Sequence, residues 1–200
     1  MHSPDIKGSI QITGSYISQS GHSHFEKRKK NQRIELKTYN NICYLTEGSV
    51  SIYRMENDIV TITINGPAIL GLAQMRNEFK SHYLRCNCDC EMFVISTRDA
   101  IALFNENNLW MHAFDILTSH LQMYFTRENM LSQPNVKMII IEHLRYIWEQ
   151  PEEIRNKTSL FTFILSRNQI ARSTVHKVIM ELTLSGAIQT ARGRLIAFNL

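Results

Sequence analysis

Residues 165–198 read LSRNQIARSTVHKVIMELTLSGAIQTARGRLIAF. The pattern predicts a short helix, a turn, and a second helix opening with Arg172, Ser173 and Thr174. Val175, Val178, Ile179 and Leu182 recur at i, i+3, i+4 and i+7, so one face of the second helix is apolar. The opposite face carries Arg172, Ser173, His176 and Lys177, residue types that contact phosphates and base edges. Gly186 permits the left-handed cap that ends such a helix. Ala187-Ile188-Gln189 and Leu195-Ile196-Ala197-Phe198 read as two short strands around a tight turn at Arg192-Gly193-Arg194. Helix, turn, helix and basic-tipped hairpin form a winged helix-turn-helix pattern, which points to double-stranded DNA entered through the major groove.

The charge distribution agrees. The net charge of the 200 residues is only +4. From Lys157 onward, however, six basic side chains face Glu181 alone, a net +5, which leaves the rest of the chain at −1. A charge cluster alone is ordinarily a solvated face; beside this motif it suits phosphate contact and salt-dependent affinity. A hydrophobic share of 44% and a charged share of 20% describe an ordinary globular protein. The opening MHSPDIKGSIQITGS has no apolar core behind a basic start, so no signal peptide is expected. No run approaches the ~18 apolar residues of a membrane helix, and the expected compartment is the cytoplasm.

Working outward, the fold class expected is α+β. Residues up to about Ser23 are rich in Ser, Gly and polar types and are expected to be loosely ordered or to form only short elements. Glu26-Lys27-Arg28-Lys29-Lys30 reads as a solvated turn or arm. From Arg33 to about Thr97 short strands are expected at Cys43–Leu45, Ser49–Tyr53, Ile59–Ile64 and Met92–Ile95, separated by turns at Glu47-Gly48, Glu56-Asn57-Asp58 and Asn65-Gly66-Pro67. Strands without intervening helices suggest a small antiparallel barrel or jelly roll. A short helix, Arg98–Asn105, then precedes a long one from about Asn107 to Ser132.

In the long helix Trp110, Phe114, Leu117, Leu121, Tyr124 and Leu131 form one stripe, and Leu109, Ala113, Ile116, Met123 and Met130 lie beside it. Two apolar stripes need two burial partners: the barrel, and the same helix of a second subunit. A single wide core-facing stripe is the alternative. Pro134 ends the helix and marks a boundary. Val136–Gln150 opens the C-terminal domain, with Met138, Ile139, Ile141, Leu144, Ile147 and Trp148 as its expected buried set. The expected domains are 1–106 (arm and β-roll), 107–133 (dimerisation helix) and 134–200 (winged helix).

This order of elements resembles the CRP/FNR superfamily of bacterial transcription regulators over residues 33–200. The resemblance is carried by Leu45-Thr46-Glu47-Gly48-Ser49-Val50, Leu70-Gly71-Leu72-Ala73 and Arg172-Ser173-Thr174-Val175. Three segments are similar to an enterobacterial branch named for inhibiting hydrogen-peroxide resistance. They are Gly66–Ala73, Asn108-Leu109-Trp110 with Ala113-Phe114, and Arg167 through Ile170-Ala171-Arg172-Ser173. The resemblance implies a homodimer, a recognition helix reading bases through Arg172, Ser173 and Lys177, and a phosphate contact at Thr174. The matching contact at Ala171 is lost. It also implies a ligand site in the roll at Gly71, Leu72, Lys80 and Ser81. Cyclic-nucleotide binders of the superfamily carry a Glu where Leu72 stands and an Arg where Lys80 stands. Leucine cannot bond a ribose hydroxyl, and lysine lacks the bidentate fork, so cyclic AMP is not the expected ligand.

Cys86-Asn87-Cys88-Asp89-Cys90 alternates, which on a strand puts the three cysteines on one face. Packing as small apolar side chains and redox sensing both remain open. Asp89 and Glu91 nearby oppose a lowered thiol pKa, and the alternating spacing differs from the C-x₂₋₄-C of structural zinc. His22-Ser23-His24-Phe25-Glu26 invites comparison with a cupin metal site, but Glu26 follows too closely and no later His stands near Gly66-Pro67. His112, His120 and His143 read as structural. No nucleophile–base set, phosphate loop or carboxylate pair makes a catalytic case, and no cofactor or metal is expected. The expectation is a DNA-binding repressor linked to oxidative stress and independent of cyclic AMP. A protein-interaction module and, last, a cupin-like metalloenzyme are the alternatives. Arg192 and Arg194 are expected at phosphate or in the minor groove.

Overall fold

A computed structural model of the chain describes residues 5–76 and 81–200. It divides into two compact units, residues 1–125 and 126–200. The first unit begins with helix α1 (Ile6–Gln19), followed by strands β1 (Ser23–Arg28) and β2 (Arg33–Ile34), a single helical turn α2 (Leu36–Tyr39), and strands β3 (Asn41–Glu47), β4 (Ser49–Arg54), β5 (Val60–Asn65) and β6 (Ala68–Leu70). A 3₁₀ turn, Leu72–Gln74, comes next, then β7 (His82–Cys86), β8 (Cys90–Ser96), α3 (Thr97–Glu106) and the long helix α4 (Trp110–Leu131).

Two four-stranded antiparallel sheets, ordered β1-β8-β3-β6 and β2-β7-β4-β5, face each other. Their shared core holds Cys43, Leu45, Val50, Ile62, Ile64, Leu84 and Met92. The first sheet is covered on its other face as well. Ile42, Ile69 and Ile95 point away from the roll interior and pack with Ile17 of α1, Phe104 of α3, Leu109 in the turn before α4, and Ala113 and Ile116 of α4. Burial on both faces explains why Ile42-Cys43-Tyr44-Leu45 reads as a continuous apolar run instead of alternating. The second sheet leaves a polar outer face, where Ser51 bonds Thr63 at 3.0 Å and Arg33 lies over the Tyr83 ring at 3.8 Å.

Helix α1 corrects the expectation of a loose N-terminal segment. Asp5 caps it, accepting from the Gly8 amide at 2.9 Å. Its buried face is Ser9, Thr13, Gly14 and Ile17, mostly small or polar, so hydrophobic periodicity does not register it. Ile17 is fully buried, worth about 2 kcal/mol. Gly14 lets the helix approach the sheet: a Cβ there would lie 2.4 Å from the Tyr44 ring. The Glu26–Lys30 arm is corrected in part: Lys29 and Lys30 are exposed at a turn, but the residues before them are not part of one. Ser23–Arg28 is a paired strand, with Phe25 opposite Phe93 and Lys27 opposite Glu91.

In the second unit, the end of α4 is followed by α5 (Val136–Trp148), α6 (Glu152–Arg155), α7 (Leu160–Arg167), α8 (Arg172–Leu184) and a hairpin of β9 (Ile188–Ala191) and β10 (Arg194–Phe198). One core joins Ile140, Leu144 and Ile147 of α5 to Leu160 and Ile164 of α7, Val175 and Leu182 of α8, and Ile188 and Leu195 of the hairpin. Asn135 and Ser159 cap α5 and α7 by accepting from Met138 and Thr162 amides. The expected buried set of α5 changes: Met138 is exposed, Ile139 and Trp148 are half-buried, and Ile140 and His143 are fully buried. Met138 lies in the first turn, where the helix has begun but the neighbouring elements do not yet cover that face. Among the described residues, no helix is long and apolar enough to cross a membrane.

Candidate nucleic-acid interface

Helix α8 presents two different faces. Val175, Val178, Ile179 and Leu182 are buried, while Arg172, Ser173, His176, Lys177 and Met180 are exposed and Thr174 is partly so. Ala171, at the cap position, supplies no side-chain hydrogen bond. The Thr174 amide turns back to the Ala171 carbonyl at 3.0 Å, and no side chain caps the helix start, where the dipole is positive. Gly186 takes φ +75° just beyond the helix end, as its sequence position requires.

Two of the basic side chains are seated on an aromatic ring of α7. The Arg172 guanidinium lies 5.6 Å from the Phe161 ring centre, and the His176 ring stacks on the same ring at 6.1 Å. Phe161 is absent from the residues picked out by sequence, because its spacing ahead of Arg172 carries no local signal. Arg167, which carries part of the family resemblance, stacks over Phe163 at 3.8 Å and bonds Ser166 at 3.2 Å. Glu181, the one acid after Lys157, is engaged by Lys137 of α5 at 2.6 Å, which holds its carboxyl below the usual range. That pairing removes an opposing charge from the exposed side of α8.

The hairpin tip is a tight turn in which Arg192 and Gly193 both have positive φ, +50° and +74°. Two such residues match the twist of a short antiparallel hairpin. The turn is anchored, because the Leu160 amide donates to the Gly193 carbonyl at 2.9 Å. Arg192 and Arg194 are exposed on either side of it.

The other candidate residues fall in the first unit. Gly71, Leu72 and Ser81 line a cavity of about 240 Å³ inside the roll; Lys80 lies outside the described residues. Gly71 has φ +97°, and a Cβ there would meet the Asn41 carbonyl at 2.9 Å, so the turn needs glycine.

The three cysteines do not share one strand face, which corrects the alternating reading. Cys86 ends β7, Cys90 begins β8, and Asn87–Asp89 make the turn between them. Cys86 and Cys90 are buried and Cys88 is exposed. Burial pushes the Cys86 thiol up to about 12 and raises Cys90 as well. Asp89 and Glu91 are paired with Lys29 and Lys27 at 2.8 and 2.6 Å, which offsets their charge beside Cys88. His24 contacts Glu26 at 2.8 Å, and Arg28 pairs with the same carboxylate. Among the described residues no three His, Cys, Asp or Glu side chains gather as a metal site.

On α4 the two stripes differ in burial. Leu109, Ala113 and Ile116 are buried. Trp110, Phe114 and Leu121 are exposed, whereas Leu117 and Tyr124 are half-buried against the first unit's cores. Met111 and Phe125 are also exposed, at 68% and 54%. The outward set is therefore Met111, Phe114, Thr118, Leu121 and Phe125, spaced 3, 4, 3 and 4.

Residues 137–200 match the family model described as winged helix-turn-helix DNA binding. The chain is 30% identical over 157 residues to the inhibitor of hydrogen peroxide resistance of Escherichia coli K12, covering 78% of this chain and 75% of that one. The Salmonella typhimurium protein of that name is 28% identical over 156 residues, with the same coverage. Among solved structures, the c-di-GMP responsive global regulator CLP of Xanthomonas campestris superposes with a TM-score of 0.73 at 16% identity, over 97% of this chain and 100% of that one. A CRP/FNR-family transcriptional regulator from Thermus thermophilus gives 0.62 at 16% identity, over 86% and 92%. With the exposed basic face of α8 and the anchored wing, these likenesses place the chain in the family of the inhibitor of hydrogen peroxide resistance, with a C-terminal winged helix-turn-helix DNA-binding domain and the fold of CRP/FNR regulators.

Proposed function

We propose that this regulator acts as a homodimeric repressor in the oxidative-stress response and does so without cyclic AMP. The observation that carries the reading is the exposed polar face of α8, with Ser173, His176 and Lys177 beside the anchored arginines of the wing. In it, Lys177 and Arg172 read guanine, Ser173 reads a neighbouring base, Thr174 touches phosphate, and Arg192 and Arg194 hold the flanking backbone. The names of the relatives support the link to peroxide and to repression. Leu72, buried where a cyclic-nucleotide binder needs a carboxylate, supports independence from cyclic AMP.

The dimer is assigned to α4. The 3-4-3-4 spacing of Met111, Phe114, Thr118, Leu121 and Phe125 is that of a coiled-coil seam, and four of the five are large apolar side chains left uncovered on one helix. This register shares Phe114 and Leu121 with the stripe expected from sequence and turns Leu117 and Tyr124 inward. The division of labour follows: 1–106 as arm and roll, 107–133 as dimerisation helix, 134–200 as the DNA-binding part. Of the hairpin thiols, Cys86 and Cys90 pack, and a peroxide response through this hairpin starts at Cys88, the exposed one.

The test is selection of bound fragments from genomic DNA by purified protein, titrated across salt. The expected product is a two-fold-related motif with half-sites about 34 Å apart and affinity falling steeply as salt rises. No enrichment at any salt, together with retention of a protein partner, would overturn the reading in favour of an interaction module.

A further inference from the structure

The exposed face of α8 carries one side chain that neither its polar contacts nor the core accounts for. Met180 is 51% exposed and lies on the surface that presents Ser173 and Lys177. An α-helix advances by about 100° per residue, so Ser173, Lys177, Met180 and Leu184 fall within about 60° of arc. Val175, Val178, Ile179 and Leu182 occupy the opposite side and belong to the core, in which Met180 has no part.

Spacing separates Met180 from its neighbours on that line. Recognition helices of the homeodomain type read base edges from positions i, i+3, i+4 and i+7. Counted from Ser173, the later positions are His176, Lys177 and Met180. From Lys177 to Met180 the helix rises about 4.5 Å, between one and two base-pair steps of about 3.4 Å. Leu184, the last residue of α8, lies about 6 Å further on and outside that set.

The chemistry of a thioether limits what this position can contact. Methionine has no donor for a phosphate oxygen or a guanine edge, and its sulfur is only a weak acceptor. The apolar group that the major groove presents is the C5-methyl of thymine. Three rotatable bonds and a polarisable sulfur let methionine fit itself to such a group, and the contact removes apolar surface of both from water.

We propose that Met180 is a base-reading residue: its side chain packs on a thymine C5-methyl in the major groove, one to two base pairs beyond the Lys177 contact. It gives each half-site a preference for T·A that the hydrogen-bonding residues of α8 do not supply. The occupant of this apolar position is the same DNA duplex, because the line from Ser173 through Lys177 continues to Met180 on one helix face. The inference rests on the DNA-contacting reading of α8 and adds a specificity-determining residue to it.

The experiment uses the full chain and the operator recovered by selection. Each thymine of a half-site is replaced in turn by deoxyuridine, which lacks only the methyl, and affinity is read by fluorescence anisotropy at fixed salt. One such replacement is expected to weaken binding by the parent chain about 4-fold, as the loss of one buried methyl requires. Met180→Ala is expected to bind the thymine and deoxyuridine operators equally. Leu184→Ala, an apolar truncation on the same helix face, is expected to keep the full discrimination. Both positions are exposed, and unchanged melting temperatures establish that the variants are folded. Discrimination that persists in Met180→Ala, or that is lost in Leu184→Ala instead, would overturn the proposal. A half-site in which the parent chain tells no thymine from deoxyuridine would do the same. Each of these results leaves the DNA-contacting reading of α8 standing, whereas a failed selection would overturn that reading and this inference together.

Discussion

Asn168 donates from Nδ2 to His143 Nε2 at 3.0 Å, joining the first residue of the helix-turn-helix turn to the buried face of α5. The other ring nitrogen of His143 lies 2.7 Å from the Ile139 carbonyl, which can only accept, so Nδ1 carries the proton and Nε2 is the neutral acceptor. His143 is 1% exposed. Burial lowers its pKa, and the nearby Arg167 and Arg127 charges act in the same direction, against the Ile139 carbonyl and Glu142. The folded ring therefore resists the second proton that the unfolded ring accepts below its ordinary value of 6.5. The unfolded state then binds more protons, so this contribution is complete above pH 6.5 and is lost as pH falls below it towards the lowered folded value. Chemical denaturation between about pH 8 and about pH 5 should show stability declining over that window. His143→Gln should flatten the decline, and His143→Ala should cost on the order of 2–3 kcal/mol at about pH 8, through a cavity and the loss of one of the two partners of Asn168 Nδ2, the Ile164 carbonyl remaining. A pH profile in His143→Gln identical to that of the parent would remove His143 from the account.

Lys177 is exposed on the recognition helix and lies outside the buried stripe. Lys177→Ala should weaken binding to the selected operator by about 1–3 kcal/mol while leaving the melting temperature within a degree or two, as read by fluorescence anisotropy and calorimetry. Phe161→Leu should act indirectly. It keeps most of the apolar contact but removes the ring on which Arg172 and His176 rest, so operator affinity should drop with only a small loss of stability.

The exposed seam of α4 separates neighbours on one helix. Leu121→Glu should convert a dimer to a monomer in sedimentation equilibrium and lower affinity for a two-fold site. Leu117→Ala, half-buried against the first unit, should lower that unit's thermal stability instead. If Leu121→Glu stays dimeric, the dimer uses another surface.

Thiol accessibility distinguishes the cysteines. With the chain folded, a maleimide should label Cys88 quickly, and Cys43, Cys86 and Cys90 only after unfolding, as burial predicts. Rapid labelling of Cys86 or Cys90 in the folded chain would show that the β7–β8 hairpin opens in solution.

Gly14 offers a test of the α1 contact. Gly14→Val should cost about 1–3 kcal/mol by forcing α1 away from Tyr44, although it removes a helix-breaking residue. Unchanged stability would mean that α1 does not hold its place on the sheet.

The chain by itself settled the features that depend on neighbouring residues. The ~3.6-residue period of Val175, Val178, Ile179 and Leu182 settled which side of α8 is buried, because that period is a property of the helix alone. Glycine at 186 and Arg192-Gly193 located the helix end and the wing turn, because positive φ is a local demand. The strands from Cys43 to Ile64 were legible through β-branched residues between turn signals. What the tertiary structure decided depends on residues far apart in sequence. Helix α1 was hidden because Ser9, Thr13 and Gly14 are buried for their smallness, which only the nearby Tyr44 makes useful. The cysteine run looked like a strand, but Cys86 and Cys90 belong to strands of opposite sheets, so the residues between them must turn. Either of two overlapping stripes on α4 could have faced outward; packing of the roll against Leu117 and Tyr124 selected Met111, Phe114, Leu121 and Phe125. Periodicity can say that a helix has an apolar face; only the shape of what packs against it says where that face ends.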